Sequence, residues 1–79
     1  MKLRPRVREE LAQHGIHPGP GDTPDQLKEQ LHQLYLEEVR RIRDRRRHGE
    51  LPGRDFARAV ELLRDRYPLL AMPTALWAE

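Results

Sequence analysis

Residues 23–49 read TPDQLKEQLHQLYLEEVRRIRDRRRHG, and the fold turns on this stretch. Thr23 is a good N-cap. Pro24 suits the first helical position, where a missing N–H costs nothing, and Gln26 stands three residues after the cap, as a capping box requires. Leu27, Leu31, Leu34, Tyr35, Val39 and Ile42 then recur at helical spacing and form one apolar stripe. Gly49 is the stop, because glycine enters the left-handed region without a Cβ clash. The pattern predicts a long helix over 24–48. Acids near its start and arginines near its end both complement the helix dipole.

Toward the C-terminus, Phe56, Val60, Leu63 and Tyr67 are spaced 4-3-4, which predicts a shorter helix over 53–66. Leu51 is placed to pack on Phe56 as a staple at its entry, and Pro68 ends it, since the residue before a proline resists the helical conformation. A connection this short favours antiparallel neighbours. Toward the N-terminus, Leu3, Val7 and Leu11 recur every four residues on a helix predicted over 5–14, started by Pro5 and stopped by Gly15. Ile16 then falls where a Schellman cap places a contact with Leu11. The loop 17–22, His-Pro-Gly-Pro-Gly-Asp, cannot continue a helix. The tail, 68–79, is apolar and broken by Pro68 and Pro73, so it is expected to be mostly irregular and to lie over the hairpin. The fold class is therefore all-α: an antiparallel helical hairpin with unequal arms, a short N-terminal helix covering part of its seam and an apolar tail, in one small domain over 1–79. The basic helix end, Gly49-Glu50-Leu51, Phe56 and the Leu62-Leu63 pair loosely resemble the short helical-hairpin domains called SHOCT domains, over about half the chain. That resemblance implies association, not catalysis.

Charged residues make up 35% of the 79, against roughly 25% in an ordinary domain. So few apolar residues must be used efficiently, or a second copy must supply more surface to bury. The net charge of +2 hides segregation. Residues 22–38 carry five acids and one lysine, net −4, and residues 40–48 carry six arginines and one aspartate, net +5. With no cysteine, disulfide staples and thiolate metal sites are excluded. No apolar run approaches the ~20 residues of a membrane span. The charged first ten residues do not look like a secretory signal, so a cytoplasmic location is expected.

Several groups invite a functional reading. Arg40, Arg41, Arg43, Arg45, Arg46 and Arg47 form a basic helix end. A polyanion would be met by Arg40, Arg43 and Arg47, but the six surround the axis, and no aromatic is interleaved for base stacking. The competing reading is a solvated helix end, with Glu37, Glu38 and Asp44 at pairing distance along the helix. Glu38 falls within the apolar stripe, where a carboxylate needs a partner: Arg41, Arg45 or an arginine from another segment. His14 and His17 have no third ligand in register, and His14 and His48 suit the negative ends of helix dipoles, so no metal or cofactor is expected. The loop 17–22 lacks the lysine of a phosphate-binding loop and is read as a turn. The last group is apolar. Leu69, Leu70, Met72, Leu76 and Trp77 in the tail, with Leu36 off the main stripe, serve either as an intramolecular lid or as an association surface. No nucleophile–base pair or cofactor fingerprint is visible. The expectation is a non-catalytic interaction module, with a two-fold homodimer favoured. The alternative is a nucleic-acid-associated accessory protein using the arginine-rich end.

Overall fold

The computed structural model describes residues 2–79. Helix α1 spans Pro5–Gln13, α2 spans Pro24–Arg47 and α3 spans Gly53–Asp65; two 3-10 turns follow, Pro68–Ala71 and Thr74–Leu76. The chain is all-α, and α2 with α3 forms the hairpin. The punctuation read from the sequence is built as expected. Gln26 N–H donates to Thr23 Oγ1 at 3.2 Å, and Thr23 N–H donates back to Gln26 Oε1 at 3.0 Å, closing the capping box. Gly15 and Gly49 take φ of +76° and +75°. Behind Gly15, Ile16 N–H reaches Leu11 O at 2.9 Å. Behind Gly49, Glu50 N–H reaches Arg45 O at 3.0 Å, so both helices end in Schellman motifs.

Contacts divide the chain into two compact units that share α2. The first comprises 2–33 and 69–79. Its core is Leu3, Val7, Leu11, Ile16, Leu27, Leu31, Leu69 and Trp77, all buried. The tail makes no α-helix, only the two short 3-10 turns, and it is ordered with Trp77 buried, as its concentration of apolar residues led one to expect. Its company is α1 and the first part of α2. Leu3 and Ala78 form an antiparallel bridge, flanked by Arg4 N–H to Trp77 O and Glu79 N–H to Lys2 O, both at 2.9 Å. Each proline begins or precedes a short i→i+3 turn, a geometry that needs no N–H from the proline itself.

The second unit comprises 34–68. Leu63 and Tyr67 are its buried residues, whereas Leu34, Tyr35, Val39, Ile42, Leu51, Phe56 and Val60 are only half-buried. The register of the hairpin is visible in two contacts. Tyr35 and Tyr67 meet edge to face with centroids 5.4 Å apart, and the Arg46 guanidinium lies over Phe56 at 4.9 Å. Among the described residues, no helix is long and apolar enough to cross a membrane.

Candidate interaction surface

The most developed polar cluster lies in the second unit, on the apolar stripe of α2. Glu38 is half-buried there. The Tyr67 hydroxyl donates to its Oε2, and Arg66 Nη2 lies 3.5 Å from its Oε1. The sequence called for an ion-pair partner, and the arginine comes from beyond α3 rather than from Arg41 or Arg45. Tyr67 was not foreseen in this role, because its place on the α3 stripe marked it as apolar. Burial, first, pushes its pKa up to about 12. The hydrogen bond to Glu38 and that carboxylate's charge act in the same direction, with Arg66 opposing them. These three side chains bond to one another, so the cluster reads as a structural polar node.

The arginine-rich end of α2 differs from the sequence reading in one respect. Arg40, Arg41, Arg43, Arg45, Arg46 and Arg47 are all exposed. Among the described residues the ion pairs are Lys2–Glu79 and Glu38–Arg66, so the expected pairs with Glu37 and Asp44 do not form. Lost side-chain entropy outweighs the attraction of exposed charges in water, and the i, i+4 geometry alone is not enough to hold them together. The dipole argument survives, since Arg45, Arg46 and Arg47 occupy the last turn. Arg46 also covers an apolar ring, as a long basic side chain can.

The glycine-rich loop closes on itself. Asp22 Oδ2 accepts from Gly19 N–H at 2.8 Å, so the loop's own carboxylate takes the amide an anion would need. Leu3, Arg8, Pro18, Gly19, Pro20 and Asp22 line a shallow pocket beside it. Among the described residues, no three of His, Asp and Glu gather as a metal site would require.

The apolar candidates separate clearly. Leu69 and Trp77 belong to the core of the first unit, which assigns them to the lid and removes them from any free surface. Leu70 and Met72 are half-buried; the Met72 carbonyl accepts from Trp77 Nε1 at 3.1 Å and from Lys28 Nζ at 3.2 Å. Leu36 and Leu76 are exposed, at 38% and 48%. Sequence reasoning missed Leu62, which is 55% exposed. The signal was present, because Leu62 falls off the Phe56–Val60–Leu63–Tyr67 stripe as Leu36 falls off that of α2. Compared with known protein families, curated proteins and solved structures, the chain finds no match, so the resemblance to SHOCT domains gains no support.

Proposed function

We propose that this chain is a small, non-catalytic self-association module that works as a two-fold homodimer. The observation that carries the reading is the unfinished burial of residues 34–68. There Leu36 and Leu62 are exposed, and seven further apolar side chains, from Leu34 to Val60, are only half-buried. Covering such surface is worth roughly 25 cal/mol per Å², and a second copy is the cover always at hand. The polar groups that do converge, Glu38, Arg66 and Tyr67, are engaged with one another, which favours an adhesive role over a chemical one. Light scattering across a concentration series is expected to give a dimer mass at high micromolar concentration and a monomer on dilution. A monomer mass throughout would remove the reading.

A second reading has one observation in its favour. Arg40, Arg43 and Arg47 are exposed and make no ion pair among the described residues, which leaves them available to a polyanion. In this reading the chain is an accessory protein that grips nucleic-acid phosphates through the end of α2. Binding of generic RNA and DNA across a salt series separates the two. Submicromolar binding at physiological salt, lost on combining Arg40→Ala, Arg43→Ala and Arg47→Ala in a folded protein, would favour it. Weak binding that vanishes with salt returns the cluster to a solvated helix end.

A further inference from the structure

The outer face of α3 carries Arg54, Ala57, Arg58, Glu61, Leu62 and Asp65, all exposed, along one shallow depression. Its charges are arranged at a local disadvantage. Arg54 and Arg58 sit toward the positive end of the helix dipole, and Glu61 and Asp65 sit toward the negative end. Like charges also stand four residues apart, Arg54 above Arg58 and Glu61 above Asp65, where they repel, and only the Arg58–Glu61 spacing of three brings opposite charges near each other on this face. Among the described residues, none of these four is in an ion pair. Elsewhere on α3 the order is the usual one, with Asp55 in the first turn and Arg64 in the last, as α2 has Asp25 and its arginines, so the reversal belongs to this face alone.

This adverse arrangement becomes favourable against a copy of itself. We propose that the outer face of α3 docks a second copy of this chain, with the two α3 helices antiparallel about a two-fold axis passing between residues 59 and 60. That centre sets Arg54 level with the partner's Asp65, Arg58 level with the partner's Glu61, and Ala57 level with the partner's Leu62. Every charge on the face then has an opposite charge at its height, and the axis repeats each pairing. A parallel pairing in register would set like against like. Ala57 permits close approach on one edge of the seam. On the other edge the two Leu62 side chains come within about 7.5 Å of each other along the axis, so the most exposed leucine of the chain acquires an apolar neighbour. Because the dipoles of antiparallel helices also oppose, the adverse charge–dipole term of each α3 is offset by its mate.

The proposal rests on the self-association reading, and a charge-swap series tests the two separately. Arg58→Glu and Glu61→Arg each turn an attractive pairing into a repulsive one on both sides of the axis. Each is expected to weaken the dimer about tenfold or more at low salt. The double variant, Arg58→Glu with Glu61→Arg, restores opposite charges and is expected to return Kd to within about threefold of the original. An equimolar mixture of the two single variants is expected to form mixed dimers even though neither variant pairs with itself. That result cannot come from misfolding, and far-UV circular dichroism should stay unchanged throughout. If the unaltered chain dimerises and the single variants dimerise equally well, the α3 face is not the interface, while self-association stands. If the single variants fall apart but neither the double variant nor the mixture recovers, the antiparallel pairing is wrong. If the unaltered chain is a monomer at every concentration, both proposals fall.

Discussion

Replacing Trp77 with alanine is expected to remove about 3–5 kcal/mol of stability, the range for deleting a large buried aromatic. A chain of this length has about 4–12 kcal/mol in total, so the variant should be largely unfolded at moderate urea concentration. Trp77 is 0% exposed, and its indole N–H donates to Met72 O at 3.1 Å. Its backbone is also engaged, since its carbonyl accepts from Arg4 N–H beside the Leu3–Ala78 bridge. The alanine variant therefore opens a cavity where α1, the first part of α2 and the tail share one core. Trp77→Phe should lose much less, because a ring remains and the Met72 carbonyl keeps Lys28 Nζ at 3.2 Å. Urea unfolding followed by far-UV circular dichroism reads both variants. An alanine variant within about 1 kcal/mol of the original would show that the tail is not part of the core.

The second large effect is alkaline. Tyr67 holds its proton to about 12 in the folded chain, against an ordinary value near 10 in the unfolded one. Below pH 10 both states keep the proton, so the residue's contribution to stability is fully present. Between about 10 and 12 the unfolded state binds fewer protons than the folded state. Stability then falls by about 1.4 kcal/mol per pH unit, some 2–3 kcal/mol in all. The loss levels off once the folded state titrates too. Tyr67→Phe is expected to be less stable at neutral pH, since Glu38 would keep only Arg66 as its partner, but it should lack this component of the alkaline decline. The difference between the two stability curves across this pH range isolates the phenol from lysines and from Tyr35. In Glu38→Gln, phenolate formation should begin at lower pH, with part of the shift remaining because burial is its first cause. Parallel curves for the original and Tyr67→Phe would contradict the assignment.

Much of the fold was legible because its signals are local. Thr23, Gln26, Gly15 and Gly49 act on backbone groups within a few residues, so their effects follow from the neighbouring sequence alone. The helices accordingly end within a residue of where the pattern put them. What the sequence could not place was non-local. Nothing in residues 2–4 marks them as a partner for residues 77–79, because a lone bridge needs only two extended backbones and leaves no side-chain pattern. Tyr67 as the partner of Glu38 was within reach. A hairpin turning near Leu51 sets Arg46 level with Phe56 and Tyr35 level with Tyr67, and Glu38 follows Tyr35 by one helical turn. The arginine pairs failed for a different reason. Spacing along a helix says which charges can meet, whereas solvent decides whether they do.

The bridge between Leu3 and Ala78 also sets the order in which the molecule can be completed. Its two sides are nearly as far apart in the chain as the described residues allow, and loop closure over such a span precedes any return from the contacts it brings together. The hairpin contacts, Arg46 with Phe56 for example, join near neighbours and need no such wait. During synthesis at about 5–20 residues per second, α1 is made several seconds before Trp77 exists. For that interval Leu3, Val7 and Leu11 have no tail to cover them. The helix made early is thus finished late, and a nascent chain stalled in the loop after α3 would present that apolar face to whatever holds unfolded chains in solution.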